Sequence, residues 1–212
     1  MCNLGHHITS WQQFTSRFQI HKGMFDQLYN YFKNGVGITP EQFDNIRGYF
    51  EQSILNRNQF LLRAGETCRH MYFVNAGCIR FYTTNQEGHE MTRYFAFEDK
   101  FGTALTSFIN QKPSIEFMQS VIRSEVLKIK RQDFYHLVDS MPEVSSVYRN
   151  MLEQAYIMSQ QRIYGFQGYS ALERLKWLMA HHPKILSKLS SKVIASYLGV
   201  TQYTLSRLKS EL

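Results

Sequence analysis

The C-terminal stretch Leu189–Leu212, LSSKVIASYLGVTQYTLSRLKSEL, carries the punctuation of two short helices joined by a tight turn. Ser190 or Ser191 can cap a first helix whose apolar positions Val193, Ile194, Tyr197 and Leu198 fall at helical spacing. Gly199 ends it, and Thr201 stands in capping position for a second helix with Tyr203, Leu205 and Leu208 on an apolar side. Ala195 is small enough for a crowded helix crossing, and Gly199 with Val200 supplies the turn and its apolar plug. The pattern predicts a helix-turn-helix. A structural helical hairpin is the plainer alternative.

Charge favours the first reading. From Leu172 onward there are seven Lys or Arg against two acids, which is most of the formal +7 of the 212-residue chain. A basic terminal module on a nearly balanced body suits contact with phosphates. The whole chain is 43% hydrophobic, with 16 Phe and 13 Tyr, enough for a sizeable core. It has no run of about 18 apolar residues and no signal-peptide pattern, so a cytoplasmic protein without a membrane partner is expected. Cys2, Cys68 and Cys78 form no CxxC pair and no zinc spacing.

Upstream of the terminal module, residues 1–23 show no clean period and read as an extension. The adjacent His6 and His7 lack a spaced third ligand, so no metal is expected. Met24 opens a first helix carrying Phe25, Leu28, Tyr29 and Phe32, ended by Asn34 and Gly35. Thr39-Pro40-Glu41-Gln42 is a capping-box start for a second, bearing Phe43, Ile46, Tyr49 and Phe50. From Ser53 to Ile129 the period changes to two. Gln59–Leu62, Met71–Val74, Cys78–Tyr82 and Val126–Ile129 read as strands between turns at Ala64–Glu66, Asn75–Gly77 and Asn85–Gly88, which suggests an antiparallel barrel or jelly roll.

Arg131–Val138 is a short helix, and Pro142 to Tyr164 is the longest helical stretch. Along it Val144, Tyr148, Met151, Ala155 and Met158 alternate by four and three, the seam of a coiled coil, which predicts a homodimer. A helix packed wholly on its own domain is the alternative. Gly165, Gly168 and Ser170 read as a hinge, Ala171–His181 as a further helix, and Lys184–Lys188 as a strand or turn. The expected division is 24–141 barrel with its leading helices, 142–165 dimerisation helix and 166–212 helix-turn-helix domain, an α+β chain overall. No nucleophile, base and orienting acid are gathered by spacing, so the sequence does not read as an enzyme.

This order resembles the Crp/Fnr superfamily of transcription regulators. The similarity rests on Phe60–Glu66 leading to Met71–Gly77, on Phe101-Gly102, on Ala171–Leu175 and on Ile194–Thr201. It implies a cyclic-nucleotide-binding-like jelly-roll barrel, a long dimer helix and a C-terminal winged-helix or helix-turn-helix domain on double-stranded DNA. An activator would also contact RNA polymerase. Members that bind cyclic AMP follow Phe-Gly with a Glu for the ribose and later use an Arg to clamp the phosphate. Here those positions hold Thr103 and Pro113, and Lys112 offers only a point charge. An effector other than cyclic AMP, or none, is therefore expected, with a cyclic-nucleotide-responsive regulator and a non-DNA-binding module as alternatives. Carried over by position, Phe101, Gly102, Thr103, Lys112, Pro113, Ser114, Ser159 and Gln160 would line an effector pocket.

No cofactor is implied: cysteines are too few for an iron-sulfur cluster, and His21, His70 and His89 read as surface or capping residues sooner than haem ligands. Cys68 and Cys78 could approach as a redox pair or be ordinary small apolar residues. The resemblance puts Gln202, Tyr203 and Arg207 at base-reading positions and Thr201 and Thr204 beside phosphates, with Lys192 a further backbone contact. Tyr203 stands where many members carry a Glu, and either meets a thymine methyl or turns inward as core.

Overall fold

The computed structural model describes the backbone of residues 9–212 and the side chains of residues 23–212. Helix α1 spans Thr9–Val36, fifteen residues longer at its start than the sequence predicts. Nothing in residues 9–22 breaks a helix, since they contain neither Pro nor Gly. The readings of Cys2, His6, His7 and His21 lie outside the described side chains. At its end, Gly37 donates its amide to the Lys33 carbonyl at 2.9 Å, two residues beyond the expected stop at Gly35. Helix α2, Pro40–Arg47, has the reciprocal cap its sequence announces: Thr39 Oγ1 accepts from the Gln42 amide at 3.3 Å, and Gln42 Oε1 accepts from the Thr39 amide at 2.9 Å.

Two four-stranded antiparallel sheets follow. One has the order β1 (Phe50–Leu55), β8 (Ser124–Lys130), β3 (His70–Ala76), β6 (Lys100–Gly102); the other β2 (Phe60–Leu62), β7 (Phe117–Ser120), β4 (Ile79–Thr84), β5 (Glu90–Ala96). Apart from the β4–β5 hairpin, sequence neighbours are split between the sheets, as in a jelly roll. Phe50, expected on α2, instead begins β1 opposite Ile129, because the helix stops at Gly48. Phe73, Phe81, Phe108, Met118 and Leu127 fill the interior, each fully buried. Gly102 is required there: a Cβ would sit 2.7 Å from Phe81 Cζ. Helix α3 (Leu105–Asn110) bridges β6 to β7, and α4 (Arg131–Ser140) closes the barrel.

Helix α5, Pro142–Gly168, runs through Gly165 without a break, so the expected hinge moves to Tyr169-Ser170, where Ser170 and Glu173 form a capping box for α6 (Ala171–His181). Then come α7 (Ile185–Lys188), a single helical turn where a strand or turn was expected, α8 (Ser191–Leu198) and α9 (Gln202–Ser210). Among the described residues this module is all helix, without the paired strands of a wing.

The stripe expected to be a dimer seam turns inward. Val144 is 2% exposed within a single chain, the Tyr148 ring packs edge-on against Phe134 at 5.1 Å with its hydroxyl 3.3 Å from that of Tyr135, and Met151 joins the same core. Val144 is thus taken up by the chain's own core, and Tyr148 and Met151 pack on it while remaining half-buried. Ala155 is exposed and Met158 half-buried on the following turns. The opposite side of α5 leaves Tyr156, Ile157, Ile163 and Tyr164 exposed. Helical spacing finds an apolar stripe but does not say which of two stripes faces home.

Candidate nucleic-acid interface and sensor barrel

The helix-turn-helix forms from local rules. Ser190 caps α8, accepting from the Val193 amide at 3.4 Å, and Ile194, Ala195 and Leu198 are buried. Gly199 adopts φ 68°, a left-handed conformation that ends the helix, and the Val200 amide returns to the Ala195 carbonyl at 3.1 Å. A Cβ on Gly199 would also meet the Phe166 ring at 3.0 Å. Thr201 caps α9, accepting from the Thr204 amide at 3.0 Å, and the two threonine hydroxyls lie 2.9 Å apart. Leu205 and Leu208 anchor α9 to a core shared with Leu175, Leu178, Ile185 and Leu189.

The outward side of α9 therefore presents Gln202, Tyr203, Ser206 and Arg207 together, all exposed. Tyr203, 74% exposed, does not turn inward. This side carries a guanidinium and a carboxamide, the two groups that pair bidentately with guanine and adenine edges. Lys209 donates to Ser191 Oγ at 3.1 Å, tying α9 back to α8.

Sequence reasoning missed how this module sits on the barrel. Arg80 on β4, 2% exposed, donates from Nε to Thr92 Oγ1 at 2.6 Å, from Nη1 to Glu90 Oε2 at 2.8 Å and from Nη2 to Ser196 Oγ of α8 at 3.0 Å. Arg162 on α5 donates to the carbonyls of Arg93 (2.8 Å), Thr92 (2.7 Å) and Tyr197 (3.2 Å), and its plane lies 4.2 Å from the Tyr197 ring centroid. Desolvation lowers the Arg162 pKa from its usual value. Tyr197 packs on Phe95, His182 on Phe97, and Lys188 pairs with Glu98 at 3.0 Å. Burial also holds His182 below the usual histidine range, helped by the nearby His181 and Lys100 charges. Lys192, the expected phosphate contact, lies 3.8 Å from Glu90 Oε1.

In the barrel, the expected effector segments come together and satisfy one another. Thr103 Oγ1 donates to the His70 carbonyl at 2.9 Å and lies 3.2 Å from Cys68 Sγ. Ser107 Oγ accepts from the Cys68 amide and donates to the Lys112 carbonyl. Gln111 Nε2 donates to the carbonyls of Cys68 (3.1 Å) and Phe108 (2.9 Å), while Ser114 bonds across a two-residue turn to Glu116. Pro113 bridges to Thr67, and the Lys112 side chain is exposed. Phe101 packs on Phe73, with ring centroids 5.0 Å apart. Burial pushes the Tyr94 phenol up to about 12. Ser159 and Gln160 lie further along α5, and among the described residues neither hydrogen-bonds to this segment. A cleft of about 470 Å³ opens elsewhere, between α1 and α5, lined by Gln27, Tyr31, Asn34, Asp99 and Asn150.

Cys68 and Cys78 are both free, and each is buried in a different core, in keeping with the reading of them as ordinary small apolar residues. His89 is exposed beside Glu87. No group of three or more His, Cys, Asp or Glu among the described residues could hold a metal ion. No described helix is long and apolar enough to cross a membrane.

Residues 53–141 match the family model of the cyclic nucleotide-binding domain. The two sheets, the long helix and the helix-turn-helix follow one another in the order of a known fold. This is the Crp/Fnr architecture. The chain is 26% identical over 181 residues to the anaerobic regulatory protein of Haemophilus influenzae, covering 79% of this chain and 68% of that one. Curated relatives are thus spanned over about two thirds of their length. Among solved structures it is similar to FixK2 from Bradyrhizobium japonicum, with a TM-score of 0.66 and 16% identity over 77% of this chain and 84% of that one. It is also similar to a putative transcriptional regulator of the Crp/Fnr family from Eubacterium rectale, with a TM-score of 0.67 and 15% identity over 84% and 85%. At such identities the likeness of the Crp/Fnr structures is one of fold.

Proposed function

We propose that the protein is a cytoplasmic, homodimeric, sequence-specific DNA-binding transcription regulator. The observation that carries the reading is the outward side of α9, where Gln202, Tyr203, Ser206 and Arg207 stand free of the chain's own core on a basic module. In this docking α9 enters the major groove, Arg207 forks to guanine O6 and N7, Gln202 pairs with adenine N6 and N7, and Tyr203 meets a thymine methyl. Thr201 and Thr204 flank the phosphates. A dimer places two such helices roughly 34 Å apart on one side of the duplex and reads a two-fold symmetric site. The exposed apolar side of α5 is the surface that joins the two copies. If the protein activates, RNA polymerase is a further partner.

The effector is not cyclic AMP, or there is none. Pro113 offers no donor to a cyclic phosphate, and Thr103, Ser107, Gln111 and Ser114 are already bonded within the segment or to the neighbouring His70 and Glu116. A cyclic-nucleotide-responsive regulator is the second reading, favoured by the family match over residues 53–141. Electrophoretic mobility of random duplexes with the purified chain, with and without cyclic nucleotides, tests both readings. Binding to a subset of sequences, unaffected by nucleotide, is the expected result.

A further inference from the structure

Glu90 of the barrel and Lys192 of the helix-turn-helix face one another as a charge pair. Lys192 lies in the first turn of α8, on the helix that crosses the sugar-phosphate backbone in helix-turn-helix docking. Its ammonium faces Glu90 Oε1 at 3.8 Å, with side-chain exposures of 66% and 27%. The other oxygen of the same carboxylate accepts from Arg80 Nη1 at 2.8 Å. Arg80 is itself immobile: its side chain is 3% exposed, its remaining nitrogens bond Thr92 and Ser196, and its plane lies 4.1 Å from the Tyr82 ring centroid. The barrel thus holds a fixed carboxylate against a lysine on the DNA-binding module. A phosphate approaching Lys192 meets an occupied ammonium and a like charge beside it.

We propose that Glu90 is an internal competitor for the DNA backbone. The barrel, gripping α8 through Arg80 and Ser196, lowers the affinity of the helix-turn-helix for any duplex until Lys192 is released. The inference rests on the DNA-binding reading above and adds an antagonism between α8's contact with β4–β5 and its contact with phosphates. It assigns Arg80 a positioning role, because Arg80 fixes where the competing carboxylate stands. The effect is independent of base sequence, since backbone contacts carry no sequence information.

The test uses the full chain and a duplex that the wild type binds, with affinity measured by fluorescence anisotropy over a series of salt concentrations. Glu90→Gln keeps an acceptor for Arg80 and removes the charge. It should tighten binding by about two- to fivefold, the range for one exposed charge pair, and steepen the slope of log K against log salt by about 0.9 for each half-site. Lys192→Ala should cost more affinity in the Glu90→Gln background than in the wild type. Glu87→Gln, on the same hairpin, should leave the slope unchanged. Should Glu90→Gln melt early, Glu90→Asp keeps a carboxylate for Arg80 while shortening its reach to Lys192, and should shift affinity in the same direction. An unchanged slope in these variants, an equal effect of Glu87→Gln, or an equal cost of Lys192→Ala in both backgrounds overturns the proposal while DNA binding itself stands. A wild type that binds no duplex overturns the regulator reading instead.

Discussion

Charging the outer side of α5 should dissociate the protein, and charging its inner side should unfold it. Tyr156 is 66% exposed, Tyr164 61%, Ile157 45% and Ile163 44%, so each leaves about half of its side chain for a partner to cover. Fully burying such a side chain is worth roughly 2 kcal/mol, so covering what remains exposed is worth about 1 kcal/mol each and about 8 kcal/mol over the eight in a dimer. Removing Tyr156 and Ile163 from both copies forfeits about half of that, close to three decades in the dimer dissociation constant before repulsion between the introduced carboxylates is counted. Tyr156→Asp with Ile163→Asp should therefore sediment as a folded monomer at about ten micromolar, its thermal midpoint lowered only by loss of the partner and no longer dependent on protein concentration, since neither residue belongs to the barrel core. Met151→Asp should do the reverse. It places a carboxylate at a half-buried position packed against the barrel core, and should lower the midpoint by a few degrees, in line with about 1–3 kcal/mol for a partly desolvated charge. A stable dimer in the outer double variant, with monomer in folded Met151→Asp, would refute the assignment of faces.

Three further outcomes follow from the same geometry. Isothermal titration with millimolar cyclic AMP should give no saturable heat, and a micromolar dissociation constant would show that Lys112 or another group replaces the missing clamp. His182 and His70 both have folded pKa values lowered first by burial, so the folded state binds fewer protons than the unfolded chain. Stability should accordingly be flat above the unfolded value near 6.5 and fall as pH drops from there toward the folded values; thermal melts at pH 7.5 and 5.5 should show the loss, and His182→Gln should reduce it. Replacing Gly199 by Ala forces a side chain into a left-handed position against Phe166, and should destabilise the C-terminal module by about 1–2 kcal/mol, read as earlier melting with weakened DNA binding.

What was legible in the sequence was mostly local. The capping residues Thr39, Ser190 and Thr201 act through hydrogen bonds three residues away, and Gly199 through its own backbone, so short motifs suffice to place them. The strands with dense apolar runs, β2, β3, β4 and β8, were legible for the same reason. Strand β5, EMTRYFA, was not, because Thr92 is buried by α8 and nothing within the strand announces that cover. Arg80 is the sharper case: it occupies the outer side of a strand whose inner residue is Phe81, and only a tertiary neighbour turns that polar position into a buried one. The long helix shows the limit of periodicity. Its two apolar sides have the same spacing, and the choice between them is made by Phe134 and Tyr135 on α4. The residues proposed to read bases were placed by the resemblance; the structure adds that Tyr203 points outward.

The central claim is that α9 reads bases. Selection of binding sites from random duplexes, with the wild type and with Arg207→Ala, tests it most directly. The wild type should enrich a two-fold symmetric site, and Arg207→Ala should lose about 1–3 kcal/mol of discrimination at one base pair of each half-site while keeping the others. Recovery of the same site with the same base preferences by both proteins would contradict the role of Arg207, and failure of the wild type to enrich any site, with and without candidate effectors, would contradict the regulator reading itself.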